Sequence, residues 1–386
     1  SDGGMLAVRM EKEAVSMQTA SIFHLPYFRP LGRFAAEQAA KSGVLPLFWG
    51  GSGVELLFTG VELQLVLEAD FDEMEPWIAV EVDGALLIRM PLNRGVNEVC
   101  VLRGMSDGRA RHVRLMKDCQ PMMGDPRHRL WVREVRWEGG TFLPLPEAAY
   151  RLEFIGDSLT SGEGLAGAVA EDAWVPAVFR ASGTWAKRAA GLLNADFRLI
   201  SQSGWGVRSS WDNNPDCALP SVYDRVCGPA LGAENESMGA QEINDFRSWQ
   251  PDAVVINLGT NDAGAMGNPI WHGPDGRVFR QTGDAAGLKL FAAAAADFLK
   301  TLRRLNPAAK LVWTYGMIEG PQSPALGSVL TEVVTQFRGE TGDKDVYYLQ
   351  LPAVTNETMG SRQHPGPLCH QAAAGVTAEF LRSILQ

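Results

Sequence analysis

Four short segments of this sequence carry residue types that together suit acyl transfer. They are a serine in Gly156-Asp157-Ser158, a glycine in Ser203-Gly204, an asparagine in Gly259-Thr260-Asn261-Asp262 and a histidine in His364-Pro365-Gly366. A serine hydroxyl is a poor nucleophile until a neighbouring imidazole takes its proton. The tetrahedral intermediate then needs fixed donors around its oxyanion, and one good donor contributes on the order of 3 kcal/mol. Ser158 can supply its hydroxyl and its own backbone N–H. Gly204 lets a second backbone N–H approach with no side chain in the way, the Asn261 amide can be a third donor, and His364 is the candidate base. Each segment also has a plain reading: Gly-Asp-Ser as a turn, Gly-Thr-Asn-Asp as a turn with Asx caps, and a histidine before proline as a cap or a solvent residue. What argues for chemistry is their order and the elements that carry them.

Those elements have the rhythm of strand then helix. YRLEFIGDS (150–158) reads as a strand running into the serine, TWAKRAAGLLN (184–194) as a helix, and DFRLISQSG (196–204) as a strand running into the glycine. DAVVINLGTND (252–262) is a buried strand running into the asparagine, and FAAAAADFLKTLRRLN (291–306) a helix. AKLVWTYG (309–316) and DVYYLQL (345–351) follow as strands, and QAAAGVTAEFLRSIL (371–385) closes the chain as a helix. Continuous apolar strands alternating with helices imply an α/β fold, a parallel sheet covered by helices on both faces. Ligands of such sheets sit beyond the carboxyl ends of the strands, where three of the four segments fall. The loops 205–240 and 263–284 are long and rich in Gly, Pro, Asn and Trp, as functional loops are.

The first half is patterned differently. GVELLFTG (53–60), VELQLVLEAD (61–70), WIAVEVDGALLIRM (77–90), NEVCVLRG (97–104) and RHVRLMKD (111–118) are short, Val- and Leu-rich segments separated by Gly, Asp and Asn. Asp83-Gly84 between alternating arms is a hairpin signal. Many short strands at this spacing predict a β-sandwich of jelly-roll type. The basic positions Arg111, His112, Arg114 and Lys117 read as a solvated face rather than an anion site. The two prolines of TFLPLPEAA (141–149) mark the change of pattern, so two domains are expected, 1–148 and 149–386, as suits a chain of 386 residues.

Composition limits the partners. With a net charge of -10 and 21% charged residues, the chain lacks the clustered cations that nucleic acid or an anionic membrane surface requires. No run of 18 apolar residues suggests a membrane span. The five cysteines, at 100, 119, 217, 227 and 369, include no CxxC pair. Reduced thiols are the expectation, with the Cys217/Cys227 spacing keeping one disulfide open. His24, His112, His128, His272 and His370 have no ligand spacing, so no metal and no cofactor are expected. The start, SDGGMLAVRMEKEAVSM, is charged and has no apolar core, with four residues ahead of Met5 that read as an addition. No signal peptide is visible there, which predicts a cytoplasmic protein, or a secreted one if a leader has been cut away.

FIGDSLTSGEG, SQSGWG, NLGTND and the C-terminal HPG resemble, in order, the four blocks of the SGNH (GDSL) hydrolase superfamily, over residues 150–386. The resemblance implies a three-layer catalytic domain with Ser158 as nucleophile, Ser158, Gly204 and Asn261 as oxyanion donors, and His364 as base. The superfamily usually places an Asp two or three residues before the histidine. Here those positions hold Ser361, Arg362 and Gln363, and the nearest preceding carboxylate is Glu357. A Ser-His dyad is therefore expected, with a backbone carbonyl holding the imidazole, and with Asp157 and Asp262 fixing turns rather than acting as acids.

The first half narrows the resemblance. PLFWGGSGVELLFTG and VEVDG ahead of such a domain look like carbohydrate esterase family two, two-domain deacetylases of acetylated plant polysaccharides or their oligosaccharides. That implies a carbohydrate O-acetylesterase with an acetylated carbohydrate as its partner. Trp205, Trp211 and Trp271, in or beside the loops flanking the site, are the candidate stacking surfaces for sugar, against the plain reading that they pin those loops. The alternatives are a lipase- or thioesterase-like hydrolase of the same superfamily, and a carbohydrate-binding protein whose hydrolase half is inactive.

Overall fold

The computed structural model describes residues 16–386, so most of the charged start that bears on a signal peptide lies outside the described residues. Two antiparallel sheets form the first half. One holds the strands Gln18–Ser21, Leu45–Pro46, Glu62–Asp70, Gly95–Leu102 and Arg129–Glu138. The other holds Arg29–Leu31, Gly53–Phe58, Trp77–Val82, Ala85–Pro91, Arg111–Lys117 and Phe142–Leu143. Leu and Val side chains from both inner faces fill the space between them, among them Leu56, Leu65, Leu67, Val80 and Leu115, all fully buried, as expected of a sandwich. The hairpin at Asp83-Gly84 has both central residues at positive φ, 51° and 82°, and pairs Val82 with Ala85. That is a two-residue turn whose backbone twist matches its strands.

The basic strand departs from its expected solvated face. Lys117 is buried and donates to the Phe48 carbonyl at 3.0 Å, while Arg114 and His112 converge on the buried Glu55 at 2.8 and 3.0 Å. Burial alone would raise Glu55, but hydrogen bonds and charge from His112 and Arg114 outweigh it and hold the carboxyl at about 2.

Between Phe142–Leu143 and Tyr150–Gly156 the architecture changes. The second half is a five-stranded parallel sheet in the order Ala195–Ser201, Tyr150–Gly156, Ala253–Asn257, Lys310–Tyr315, Val346–Gln350. Successive residues of the central strands face opposite sides. Phe154, Val255 and Val312 meet helices Trp185–Leu192 and Pro367–Ile384. Ile155, Ile256 and Trp313 meet Ala285–Leu305 and Ser323–Thr341. Among the described residues no helix is long and apolar enough to cross a membrane, and all five cysteines, Cys217 and Cys227 included, are free thiols.

The two halves share buried structure. Phe48 and Trp49 belong to the core on one side of the parallel sheet, Leu31 and Met116 to that on the other. Arg33, with its side chain fully buried, pairs with Glu153 in the strand leading to Ser158 at 3.2 Å and donates to the Tyr223 and Arg225 carbonyls at 2.5 and 2.8 Å. The Tyr223 hydroxyl completes the network on Glu153 at 2.5 Å. Removing one partner of such a pair strands a buried charge. Arg33→Met should therefore cost about 3–5 kcal/mol of stability, and Arg33→Met/Glu153→Leu should recover most of it. Thermal and urea unfolding check this; a single variant as stable as the parent would contradict it.

Candidate active site

The strand Tyr150–Gly156 delivers Ser158 to the carboxyl edge of the sheet through a tight turn. A Cβ on Gly156 would lie 2.1 Å from Thr160 Oγ1, so only glycine allows the chain to fold back there. Asp157 caps the short helix Ser158–Ser161 by accepting from the Leu159 N–H at 3.0 Å. Burial pushes the Asp157 carboxyl up to about 7, against the Leu159 N–H, with the negative charge of Asp262 and Glu163 adding to the rise.

The candidate base arrives from the other end of the chain. His364 Nε2 lies 3.0 Å from Ser158 Oγ, and His364 Nδ1 lies 2.8 Å from the Arg362 carbonyl. A carbonyl only accepts, so Nδ1 carries the proton and Nε2 presents a lone pair to the serine hydroxyl. Arg362 and Gln363 both sit at φ 55°, in the left-handed region. Such non-glycine residues cost on the order of 1–3 kcal/mol each and persist where their surroundings over-determine them. Here the two residues turn the Arg362 carbonyl onto the imidazole. Gly164 makes the approach possible: at φ 86° its missing Cβ would stand 2.5 Å from His364 Cβ, and its carbonyl accepts from the Ser361 N–H at 3.0 Å. This glycine closes the FIGDSLTSGEG block, but nothing in the sequence alone marks it as a neighbour of His364.

The candidate oxyanion donors come from the two flanking strands. Gly204 has φ 80°, and a Cβ there would press on Trp211 Cδ1 at 3.1 Å. Among the described residues neither the Gly204 N–H nor the Ser158 N–H has a protein acceptor. The Asn261 amide is engaged, donating to the Trp205 carbonyl at 3.0 Å and to Asp157 Oδ2 at 3.2 Å. Asp262 is fully buried and accepts from the backbone N–H groups of Val207 and Arg208 at 2.8 and 2.9 Å and from Gln281 at 2.9 Å. It pins the loop after Gly204. Neither Asp157 nor Asp262 reaches the imidazole, and Glu357 is exposed.

Ser158, Gly204, Asn261 and His364 line one cavity of about 470 Å³. Of the three tryptophans singled out in the sequence, only Trp211 is on its wall, with its side chain 54% exposed. Trp205 is a correction: its ring is 5% exposed and packed into the core beneath the sheet edge, so it contributes its carbonyl to Asn261 and no stacking surface. Trp271 is a second correction. It lies on the hairpin Trp271–His272/Val278–Phe279 beside Arg277 and is not among the residues that line the cavity. Four further residues stand on the wall with no role assigned from sequence: Trp174, Glu163, Ser203 and Arg362. Trp174 sits in an irregular stretch far from any motif, and it stands 40% exposed against Phe179. Among the described residues no group of three or more His, Cys, Asp or Glu could hold a metal ion.

Comparison with known proteins points the same way as the geometry. Residues 154–375 match the GDSL-like lipase/acylhydrolase family. The chain is 29% identical over 341 residues to a cellulase/esterase of Acetivibrio thermocellus, a match that takes in 86% of this chain and 37% of that protein, so the chain spans little more than a third of that relative's length. It is 25% identical over 366 residues to an acetylxylan esterase / glucomannan deacetylase of Cellvibrio japonicus, covering 93% of this chain and 89% of that one. Among solved structures, an acetyl xylan esterase from the rumen bacterium Butyrivibrio proteoclasticus is similar with a TM-score of 0.90 at 40% identity, covering 96% of this chain and 98% of that one. A family two carbohydrate esterase from Clostridium thermocellum, solved in complex with cellohexaose, gives 0.77 at 26%, covering 93% and 99%.

Proposed function

The chain belongs to the GDSL-like lipase/acylhydrolase family, and from that premise we propose that it is a carbohydrate O-acetylesterase removing acetyl groups from plant polysaccharides or their oligosaccharides. The observation that carries the reading is the hydrogen-bonded line from Ser158 Oγ through His364 to the Arg362 carbonyl, opening on a cavity walled by indole rings. The 40% identity to an acetyl xylan esterase across nearly the whole of both chains supports the choice of substrate.

In this reading Ser158 Oγ attacks the acetyl carbonyl carbon as its proton passes to His364 Nε2. The imidazolium keeps its orientation because Nδ1–H stays bonded to the Arg362 carbonyl. The carbonyl oxygen becomes an oxyanion facing the Ser158 and Gly204 N–H groups and the Asn261 amide. Collapse of the intermediate breaks the bond to the sugar oxygen, which leaves with the proton from Nε2. Water, deprotonated by the same nitrogen, then releases acetate from the acetyl-serine and restores the hydroxyl. Trp211 and Trp174 offer flat faces for the sugar beside the reacting ester.

The test is acetate release measured side by side from acetylated xylan, acetylated glucomannan and an aryl acetate, with an aryl ester of a long acyl chain as the control. Acetate from at least one polysaccharide, and little cleavage of the long-chain ester, is the expected result. Efficient cleavage of the long-chain ester with both polysaccharides untouched would overturn the reading in favour of a lipase-like hydrolase.

A further inference from the structure

Glu163 is a carboxylate that the dyad does not use and that the fold nevertheless carries to its edge. Its side chain is 3% exposed, and its Oε2 stands 3.8 Å from His364 Nε2, on the serine side of the ring. Oε1 accepts from Arg362 Nε at 2.7 Å, and Oε2 also accepts from the Ser203 hydroxyl. One side chain thus ties together the nucleophile turn, the residue before Gly204, and the strained loop whose carbonyl holds the imidazole. Arg362 is engaged at both ends, its carbonyl on Nδ1 and its guanidinium on Glu163.

We infer that Glu163 is a positioning residue for His364, which fixes the Arg362 turn and stabilises the imidazolium from the Nε2 side, the side opposite the usual triad acid. The inference rests on the ester-hydrolase reading of the site. A buried carboxylate within about 4–6 Å favours the charged form of a neighbouring base. The proton that arrives on Nε2 during attack therefore appears beside Oε2. The other titratable groups facing this imidazole are few. His370, on the last helix, is pushed down to about 3 by burial and by the nearby Arg188 and His364, so it stays neutral. Asp157 lies beneath Ser158 and within range of the Glu163 charge. Arg362 is held on Glu163 itself.

Glu163→Gln keeps the shape and can still accept from Arg362 while losing the charge. On an aryl acetate kcat should fall about tenfold at unchanged KM, and the acidic limb of the pH profile should move to lower pH by about one unit, because the imidazolium has lost a stabilising anion. Glu163→Asp restores the charge and should return part of that shift. A Gln variant whose acidic limb stays in place overturns the inference whatever happens to kcat, since a merely structural role does not move it. An independent readout needs no substrate: the ring-proton NMR titration of His364 in Ser158→Ala, with and without Glu163→Gln. Its midpoint should fall in the double variant, and an identical midpoint overturns the inference. Should the Gln variant not fold, Glu163→Asp takes its place, with a smaller fall expected and an unchanged midpoint again overturning it. A moved midpoint in a protein that releases no acetate would sink the proposed function and leave this role of Glu163 standing.

Discussion

Ser158→Ala should lower kcat on an aryl acetate by about 10⁴-fold or more while leaving the fold intact, because nucleophile and base act as one unit. The structure explains why the change is local. The Ser158 hydroxyl bonds to His364 Nε2, whereas the turn is held by Asp157 on the Leu159 N–H and by the close approach that Gly156 allows. Neither of the two contacts that hold the turn involves Ser158 Oγ, and alanine is a better helix former than serine. His364→Ala should cost as much, and the double variant no more than either single one, since the residual rate comes from the oxyanion donors and from binding. Stopped and steady-state assays with equal unfolding midpoints test the set. A serine-directed phosphonate should label the parent at Ser158 and fail to label the alanine variant. If Ser158→Ala keeps more than about a tenth of the activity, another group is the nucleophile, since losing one costs far more.

The reason this site could be read from sequence is that three of its four segments follow strands of the parallel sheet. VVINL ahead of Gly259 and LEFI ahead of Gly156 are buried on both faces, so their ends fall at one edge of one sheet. What was hidden depends on distance in the chain. Arg362 is two residues from His364, but Glu163 lies 199 residues from Arg362, and nothing local marks it as the partner of that guanidinium. Trp205 misled because adjacency to Gly204 constrains its backbone and leaves its ring free to turn into the core. The same limit applies to the fold. The longest strand, Arg129–Glu138, escaped because its charged residues pair across the sheet with Glu68, Asp70 and Glu98. A bulge between Val132 and Glu134 then breaks the alternation by which strands are recognised. Helix Ser323–Thr341 escaped because Gly327 and a run of β-branched residues give it weak intrinsic propensity, and burial of Leu326, Leu330 and Val334 against the sheet holds it instead.

Asn261→Ala should reduce kcat by roughly 10²–10³ and leave KM nearly unchanged, the signature of a donor that acts on charge present only in the transition state. At rest both amide hydrogens are committed, one to the Trp205 carbonyl at 3.0 Å and one to Asp157 Oδ2 at 3.2 Å. The bond to Trp205 fixes the orientation of the amide and ties it to the loop that carries Gly204. The longer bond, to a carboxyl that burial has raised to about 7, is the one that can be given up as the carbonyl oxygen of the ester takes on negative charge. Ground-state ester offers no comparable charge, so binding is little affected by losing the donor. Asn261→Asp sharpens the test: it preserves the shape while replacing the donor with an acceptor facing Asp157, and its kcat should fall at least as far as that of the alanine variant. Asp157→Asn should do less harm, about tenfold or less, because it leaves the Asn261 amide in place and keeps an acceptor for the Leu159 N–H; a loss of 10³ or more there would make Asp157 part of the proton chemistry. Were Asn261→Ala to raise KM strongly at constant kcat, the residue would be a contact for the bound sugar or acetyl group, and the oxyanion would rest on the Ser158 and Gly204 N–H groups alone.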